Sequence, residues 1–449
     1  MVYSIIKKSK LEGTMRLDAE YYQPEYLDIE KKLDSVETKT VEEISESVVS
    51  FGAYSLCNFI EWQEEGVPYL NVQNIKNGFI DFEGVRFIDE KVDKILKKSK
   101  VEEGQVLLTM AGTIGNVAVA HNIPKKVNSN QATAKITLKE KFSPFYLSAF
   151  LNCKYGKEQT IREIISSVQP NIFLSQIKKF KIPIFSKKQC EEIERDYIAG
   201  LNKLENSKNL YAQAEDLLLE KLGLKDFSVK DDLCNIVNLS DAQKACRIDA
   251  EYFQPKYANL VSKIKNTKIL GDLAEIKKGI EVGGEAYQEK GKQFFRVSNV
   301  SKQGFTDGNQ QYVSDDLYQK LKNGFEPRIG EILLTKDATP GIAYVIKKNI
   351  QGIISSGILR LRIKIKIEPE YLALVLNLPI GQMQMERDIG GSIIVHWRPE
   401  QIKNCLIPVL PKSIQQKIAG LVQKSHQARS KAKQLLEQAK SRVENLIEK

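Results

Sequence analysis

The sequence predicts a mixed α/β (α+β) protein in which two pseudo-symmetric globular domains are separated by an antiparallel two-helix coiled coil. Three observations favour this fold class. The phrase RLDAEYYQPEY at residues 16–26 returns as RIDAEYFQPKY at residues 247–257, with eight of eleven positions identical at an offset of 247 − 16 = 231 residues. Further blocks repeat in the same order, and each half ends in a long polar segment with helical periodicity. A phrase repeated at half-chain distance indicates two copies of a whole structural unit.

The length of the chain fits such a duplication. At 449 residues it is longer than a single domain of about 100–200 residues. We assign the first domain to residues 1–185, a central helix to 186–223, the second domain to 224–410 and a C-terminal helix to 411–449. The sequence lacks both a run of about 18 apolar residues and the apolar core of a secretory signal. We therefore expect a cytoplasmic protein without a membrane partner.

The repeated phrase leads into a helix in each half. Pro24 and Pro255 stand where a helix can begin, at a first-turn position that tolerates a missing N–H group. The apolar residues that follow have the spacing of one helical face and correspond between the halves, namely Tyr26, Ile29 and Leu33 with Tyr257, Leu260 and Ile264.

Strands are predicted for the blocks that follow. Runs of β-branched and aromatic residues closed by a glycine are typical of strands that end in turns. Two such blocks recur, with the small changes in offset that loop insertions produce: PYLNVQNIKNGF (68–79) as QFFRVSNVSKQGF (293–305) and GQVLLTMAGTIG (104–115) as GEILLTKDATPG (330–341). A third block without a glycine, KIPIF (181–185), recurs as LIPVL (406–410).

The segment that ends each half steps alternately by four and three residues, which is the spacing of a heptad seam. Residues 187–222 carry a net charge of 6 − 8 = −2 and residues 411–449 carry 9 − 3 = +6, so the two helices attract each other. We predict that they pair antiparallel, although each helix packing alone on its own domain is an alternative. The predicted seam contains Ile193, Tyr197, Leu204, Tyr211, Leu218, Ile414, Ile418, Leu421, Ala428, Ala432, Leu435, Ala439 and Leu446.

Motifs for nucleotide hydrolysis and for zinc chemistry are absent from the sequence. It contains no GxxxxGK[ST] phosphate loop and no HExxH motif, and its six cysteines form no CxxC pair. The one enzyme-like pattern is Asp272, Glu275 and Lys277, an acid followed by ExK as in metal-dependent nucleases. The corresponding block of the first half, VEEISESVVSFG from Val41, has Ser45 in place of the lysine. We therefore favour a structural role for these three residues.

The repeated motifs resemble those of the DNA specificity subunit of type I restriction-modification enzymes. The resemblance covers almost the whole chain, from the R[LI]DAEY[YF]QP phrase at Arg16 and Arg247 through the PYLNVQNI and GQVLLTMAGTIG blocks to the terminal helices. It implies a sequence-specific DNA-binding protein that has no catalytic residues and binds no cofactor or metal of its own. Each domain would be a target recognition domain that reads one part of a split site in double-stranded DNA.

The resemblance also implies partner proteins. Two modification subunits would dock on the helices and methylate adenine with S-adenosylmethionine, and restriction subunits would translocate and cut DNA with ATP and magnesium. A helix pair of about 36 residues extends roughly 54 Å at about 1.5 Å per residue. This length is sufficient to hold two domains over sites one duplex turn apart, about 34–36 Å. We therefore expect the helices to act as a ruler for the gap between half-sites.

The base-reading residues are expected where the two halves differ, because identical domains would read identical half-sites. The net charge of +10 is consistent with a polyanionic partner. Asn and Gln pair well with adenine, and Arg and Lys with guanine, although each such residue has the alternative role of capping a turn or contacting phosphate. The candidates are Asn71, Gln73, Lys76, Asn128, Asn130 and Gln131 in the first half, and Arg296, Ser298, Lys302, Lys336, Ser355 and Arg398 in the second.

Two functions of other classes remain open at this stage. One is a stand-alone metal-dependent nuclease that uses Asp272, Glu275 and Lys277. The other is a scaffold that joins proteins and does not bind DNA, which would show no salt-dependent binding to a duplex.

Overall fold

The computed structural model describes residues 3–14, 16–50, 60–164, 170–228, 234–306, 308–389 and 395–449. The chain forms two compact units, of which the first comprises Met1–Glu205 with Arg429–Lys449 and the second comprises Asn206–Ala428. These units divide each long terminal helix between them, whereas the sequence-based boundaries kept each helix whole. Every unit therefore contains part of both helices.

The first unit combines short helices with two four-stranded sheets. Its helices are α1 (Lys8–Thr14), α2 (Pro24–Asp34), α3 (Val41–Ile44), α4 (Glu90–Ile95), α5 (Pro144–Asn152), α6 (Lys154–Glu163) and α7 (Leu174–Ile177), followed by the long helix α8 (Lys187–Leu222). Its strands are β1 (Thr38–Thr40), β2 (Ser45–Val49), β3 (Trp62–Gln63), β4 (Val67–Leu70), β5 (Ile75–Lys76), β6 (Phe79–Ile80), β7 (Arg86–Ile88), β8 (Val106–Thr109), β9 (Val117–Val119), β10 (Asn128–Ser129), β11 (Thr133–Leu138) and β12 (Lys181–Pro183).

One sheet of the first unit has the antiparallel order β2-β11-β8-β9. The other has the order β10-β4-β7-β3, in which β10 and β4 run parallel. Strand β12 pairs antiparallel with β1 and so returns the chain to the start of the unit before α8 begins. Local sequence fixes several boundaries, since Pro24 opens α2 and Thr40 forms a capping box with Glu43 at the start of α3.

The second unit contains the same kinds of element in the same order. Its helices are α9 (Leu239–Ala245), α10 (Pro255–Lys263), α11 (Leu270–Leu273), α12 (Asp315–Phe325), α13 (Pro369–Asn377), α14 (Pro379–Ile389) and α15 (Pro399–Lys403), followed by the long helix α16 (Lys412–Ile447). Its strands are β13 (Thr267–Ile269), β14 (Ala274–Lys278), β15 (Lys292–Phe295), β16 (Val300–Ser301), β17 (Gly304–Phe305), β18 (Gln311–Val313), β19 (Ile332–Thr335), β20 (Ala343–Val345), β21 (Gly352–Ile354), β22 (Ile358–Ile363) and β23 (Leu406–Pro408).

The topology of the second unit repeats that of the first. Its antiparallel sheet has the order β14-β22-β19-β20, its second sheet has the order β18-β15-β21 with β15 and β21 parallel, and β23 pairs with β13. These pairings match β2-β11-β8-β9, β7-β4-β10 and β1-β12 of the first unit. The predicted duplication of an α+β unit is therefore confirmed.

The two long helices pair antiparallel within each unit. In the first unit Arg442 of α16 donates from Nε to Asp196 of α8 at 2.5 Å, and Gln438 donates to the same carboxylate at 2.9 Å. In the second unit the hydroxyl of Ser425 donates to the carbonyl of Ser207 at 2.7 Å. Partner numbers on α16 fall as those on α8 rise, which defines the antiparallel direction.

No helix of the described residues is both long and apolar enough to cross a membrane.

The buried face of the helices agrees with the predicted seam at some positions and departs from it at others. Ile193, Tyr197, Leu204 and Leu218 of α8 are buried, as are Ile418, Ala428, Ala432 and Ala439 of α16, while Tyr211, Ile414 and Leu446 are partly buried. Leu421 and Leu435 are also partly buried, and the residues that follow them, Val422 and Leu436, are more deeply buried. The reason is that an α-helix with 3.6 residues per turn drifts relative to a strict heptad repeat.

Close approach of the helices in the first unit depends on Gly200. A Cβ atom built there would lie 3.0 Å from Cγ of Leu436 and 3.3 Å from the carbonyl oxygen of Ala432. Gly420 of α16 differs, since its Cβ would meet nothing within 4 Å. Glycine ordinarily weakens a helix interior, but at Gly200 it is the residue that lets the two helices pack closely.

We predict that Gly200→Leu destabilises the protein by about 2 kcal/mol, because overpacking of a tight contact costs roughly 1–3 kcal/mol. The matched control, Gly420→Leu, stabilises it by up to about 1 kcal/mol, because leucine has the higher helix propensity and meets open space. Urea unfolding followed by circular dichroism measures both changes. Equal effects of the two substitutions would show that Gly200 is not a packing constraint.

Lys135 on β11 is a buried cation in the first unit, with 0% of its surface exposed. Its Nζ lies 3.4 Å from Oγ of Ser129, and burial lowers the pKa of Lys135 from 10.5 to about 8. The corresponding residue of the second unit is Arg360. Lys135 pairs with Leu107 of β8, and Arg360 pairs with Leu333 at the same position of β19. Arg360 has an acidic neighbour, with Nη1 at 3.6 Å from Glu331. Burial of the cation therefore costs more free energy in the first unit than in the second.

We predict that Lys135→Met stabilises the protein at pH 7 by on the order of 3 kcal/mol, from a pKa depression of about 2.5 units at 1.36 kcal/mol per unit. The folded pKa lies below the unfolded one, so the unaltered protein loses stability as the pH falls from 10.5 through 8. The advantage of the variant should therefore shrink as the pH rises above 8. Urea unfolding at several pH values measures it, with the exposed Lys94→Met as control. A pH-independent difference would contradict the assignment.

Candidate nucleic-acid interface

Three loops meet in each unit, two of which follow paired strands of one sheet while the third follows a strand of the other sheet. In the second unit they are residues 296–299 after β15, 336–339 after β19 and 355–357 after β21. In the first unit the equivalent loops are residues 71–74 after β4, 110–113 after β8 and 130–131 after β10. We call each set the three-loop site of its unit. Ten of the twelve predicted base-reading residues lie in these loops, at their edges or in the short hairpin beside them.

The first loop of each site is shaped by a buried asparagine that both units share. The backbone N–H of Asn71 donates to Oδ1 of Asn74 at 3.0 Å, and that of Arg296 donates to Oδ1 of Asn299 at 2.9 Å. The amide of Asn74 then donates to the carbonyl of Asp81 at 3.0 Å. The shared residues therefore fix the backbone, while the residues at 71 and 296 differ in their side chains.

Contacts between the loops hold each site together. The N–H of Asn130 donates to the carbonyl of Leu70 at 2.9 Å, and in the second unit the N–H of Ser355 donates to Phe295 at 2.8 Å. Gly357 packs so closely that a Cβ atom there would lie 2.8 Å from Cγ2 of Val297 and 3.3 Å from Oδ2 of Asp337. A glycine is thus required where the three loops of the second unit converge.

The second unit has an open cleft at its three-loop site, which we call the second-unit cleft. Three predicted base-reading residues, Arg296, Ser298 and Ser355, line it together with Asn309, Thr339 and Ser356. Arg296 donates from Nη2 to the carbonyl of Asn309 at 2.7 Å, whereas its buried Nε atom has no hydrogen-bond partner. Apolar side chains, among them Tyr287 and Phe294, also line the cleft. A cleft of mixed lining with a guanidinium donor suits a ligand that offers both hydrogen-bond acceptors and apolar surface.

The predicted base-reading residues outside the second-unit cleft differ in how far their side chains are exposed. Gln73 is exposed, and Asn71, Lys76, Asn130 and Gln131 are partly exposed. Oδ1 of Asn130 accepts a hydrogen bond from the hydroxyl of Thr133 at 3.0 Å. In the second unit Lys302 is partly exposed between β16 and β17, and Arg398 is exposed before α15.

Two of the predicted base-reading residues are buried and engaged inside the protein. Asn128 has 0% exposure, and its amide donates to Asp93 at 3.0 Å and to the carbonyl of Leu96 at 3.3 Å. Lys336 is also buried, with Nζ at 2.6 and 2.7 Å from the two carboxylate oxygens of Asp337. Neither side chain is available to a base edge. The sequence shows both as polar residues beside a turn, and it does not show the strand pairing and ion pair that bury them.

The structure places Asp337 and His396 beside Lys336, and His396 lines a separate cleft of the second unit with Arg247 and Arg398. Nδ1 of His396 lies 2.7 Å from Oδ1 of Asp337, and the backbone N–H of Trp397 donates to Lys336 at 2.8 Å. Although burial raises it, hydrogen bonds from His396 and Lys336 lower the pKa of Asp337 below its ordinary value. The signal in the sequence was the contrast between KDATPG and MAGTIG in the repeated block, which pointed to Lys336 but not to its distant partner.

The repeated phrase has a structural role in both units. Arg16 forms a two-point ion pair with Asp18, at 2.8 and 2.5 Å, and its guanidinium lies 4.5 Å from the ring centre of Tyr21. Arg162 of α6 covers the same ring at 4.1 Å. The hydrogen bond from Arg16 lowers the pKa of Asp18, and burial raises the pKa of Tyr21 to about 12.

The second copy of the phrase repeats this arrangement. Arg247 pairs with Asp249 at 2.7 and 2.8 Å, and its guanidinium and that of Arg387 lie 4.8 and 5.3 Å from the ring centre of Tyr252. An arginine-tyrosine-arginine stack therefore attaches the segment before α2 or α10 to the helix α6 or α14. The rings of Tyr21 and Tyr252 are thus each covered by two arginine side chains of the same unit.

The residues of the alternative nuclease pattern are spread over a helix and a strand. Glu275 and Lys277 lie on β14 with 3.3 Å between their charged atoms, and Asp272 lies on α11. The pairing partner of Lys277 is Arg360, and the corresponding Lys135 pairs with Val49, so Val49 rather than Ser45 holds this position in the first unit. Within the described ranges, no group of three or more His, Cys, Asp or Glu residues has the geometry to hold a metal ion.

Known proteins match this chain in sequence. A family model described as "Type I restriction modification DNA specificity domain" matches residues 34–210 and 263–440, more than half of the chain. The specificity subunit of the type I restriction enzyme EcoBI from Escherichia coli is 25% identical over 133 residues, which cover 29% of this chain and 28% of that protein. The chain thus spans less than a third of the length of that curated relative.

Solved structures of similar proteins were also found. The S subunit of a type I restriction-modification system from M. genitalium has 15% identity and a TM-score of 0.42, covering 92% of this chain and 94% of that chain. The HsdS subunit from Thermoanaerobacter tengcongensis has 14% identity and a TM-score of 0.29, covering 91% and 95% of the two chains.

Proposed function

The chain belongs to the family of type I restriction-modification DNA specificity domains, and from this membership we propose that it recognises a bipartite DNA site for a complex that methylates and cuts DNA. The observation that carries the proposal is the duplication itself. The family domain occurs twice, and each copy presents a three-loop site on the same scaffold.

Differences between the two sites support recognition of two different half-sites. The loops of the first unit present the amides of Asn71, Gln73 and Asn130, whereas the equivalent loops of the second present Arg296, Ser298 and Ser355. Amide side chains pair with adenine and guanidinium groups pair with guanine in the major groove. An asymmetric site with distinct bases on its two sides follows from this contrast.

Partner subunits supply the chemistry in this proposal. The chain itself would be non-catalytic and would bind neither S-adenosylmethionine nor ATP nor magnesium. Two modification subunits, one for each copy of the repeat, would dock on the helices α8 and α16, and restriction subunits would join them. The difference in net charge between the helices, −2 for residues 187–222 and +6 for residues 411–449, favours their pairing as a rigid spacer between the half-sites.

We predict that expression of this chain with candidate modification subunits places methylated adenines in a bipartite sequence with a fixed gap. Arg296→Ala should relax base preference on one side of the gap and Asn71→Ala on the other, each by about tenfold, because a good base contact is worth roughly 1–3 kcal/mol. Sequencing of methylated adenines in the host DNA measures both. A single contiguous site, or variants that both relax the same side, would contradict the proposal.

Experiments with the purified chain separate DNA recognition from the two alternative functions, a nuclease and a protein scaffold. The purified chain with plasmid and magnesium should leave the DNA intact, while a duplex should bind with an affinity that falls steeply as salt rises. Cleavage that disappears in Glu275→Ala would favour the nuclease, and the absence of any salt-dependent binding would favour a protein scaffold.

A further inference from the structure

Lys336, Asp337 and His396 form a chain of polar contacts beside the second-unit cleft. Nζ of Lys336 donates to both carboxylate oxygens of Asp337, at 2.6 and 2.7 Å. Oδ1 of the same carboxylate lies 2.7 Å from Nδ1 of His396. The loop that carries Lys336 and Asp337 also contributes Thr339 to the cleft. Asp337 reaches the point where the three loops converge, since a Cβ atom on Gly357 would lie 3.3 Å from its Oδ2. His396, on the far side of Asp337, lines a second cleft together with Arg247, Asp249 and Arg398.

Burial decreases along this chain from the lysine to the histidine. The side chains are 10% exposed at Lys336, 22% at Asp337 and 57% at His396. A carboxylate only accepts hydrogen bonds, so Nδ1 of His396 carries the hydrogen that binds Asp337. Nε2, on the opposite edge of the ring, is left to interact outside the trio. The buried ion pair thus fixes both the tautomer and the orientation of an exposed imidazole.

The first unit has the same backbone at this place with uncharged side chains. The N–H of Ile172 donates to the carbonyl of Met110 at 3.0 Å, just as Trp397 donates to Lys336 at 2.8 Å. Isolated bridges join Ala111 to Asn171 and, in the second unit, Asp337 to His396. Met110, Ala111 and Asn171 therefore correspond to Lys336, Asp337 and His396. The scaffold adopts this backbone without the charged trio, so the fold does not require it.

We propose that His396 contacts a base edge in the half-site recognised by the second unit, and that Asp337 and Lys336 are positioning residues that hold its ring. The inference rests on the proposed function, because it names a specificity-determining residue of the same DNA-binding site. The sequence analysis gave the base-reading role to Lys336, and this inference gives that role to His396. A buried lysine does not reach a base, whereas an exposed imidazole with one nitrogen fixed distinguishes base edges by their hydrogen-bonding groups.

The first unit supplies the matched variant for a test. Lys336→Met, Asp337→Ala and His396→Asn together give the second unit the residues that the first unit carries at these positions. The full chain, unaltered or with the three substitutions, is used to select duplexes from a randomised library, and the bases preferred on each side of the gap are read by sequencing. His396→Asn alone and Asp337→Asn alone are selected in parallel, and thermal melting of each variant monitors folding.

We expect the triple variant to lose about tenfold of the discrimination at one or more positions of a single half-site. The other half-site should keep its preference, which also shows that the variant chain is folded. Asp337→Asn, which leaves the histidine in place, should weaken the same positions and no others. That localised change in base preference is one that a merely structural role of the trio would not produce.

Two results would overturn the inference while leaving the proposed function intact. One is an unchanged preference at both half-sites in the triple variant. The other is weaker binding to all sequences alike, which indicates a contact with phosphate instead of a base. If the unaltered chain selects no preferred sequence at all, the proposed function and this inference fail together.

Discussion

The packing of α8 against α16 is the constraint on which both units depend. Each unit completes its core with parts of the two helices, through Ile193, Tyr197 and Val443 in the first and Leu218 and Val422 in the second. The helices approach closely because small residues lie between them, with Gly200 beside Ala432 in one unit and Ser207 beside Ser425 in the other. Apolar burial of this kind contributes roughly 25 cal/mol per Å², so neither globular part is independent of the helix pair.

The duplicated scaffold explains how one chain carries two different sites. Residues that shape the loops are retained, such as Asn74 and Asn299, which accept from the backbone three residues earlier in the same way. Exposed residues of the loops have diverged, for example Gln73 in the first unit and Ser298 at the equivalent position of the second. Because rigid strands hold the loops, a side chain can change without loss of the fold.

Much of the fold was predictable from the sequence because its signals are local or repeated. The 231-residue offset predicted the duplication, the prolines at 24 and 255 predicted helix starts, and the heptad spacing predicted the two long helices. The opposite net charges of these helices favoured their pairing. The exact buried face of α16 was less predictable, since Val422 and Leu436 are more deeply buried than the predicted Leu421 and Leu435 when the helix drifts from the heptad.

The site was predictable only in part, because burial and distant pairs do not appear in a local pattern. Asn128 looked like a loop amide, but the parallel pairing of β10 with β4 buries it. Asp337 and His396 stand 59 residues apart, and neither has a sequence motif. The contrast between the two halves located the right loops, whereas the assignment of roles within a loop required the contacts.

The most direct test of the account changes the length of both helices. Insertion of three heptads into α8 after Glu205 and into α16 after Ala428 adds roughly 31 Å at about 1.5 Å per residue, equivalent to about nine base pairs at 3.4 Å each. Selection from a randomised duplex library should then return the same bases on both sides, with a gap longer by roughly nine to ten base pairs. An unchanged gap with unchanged bases would contradict the proposal that the helix pair sets the spacing of the two half-sites.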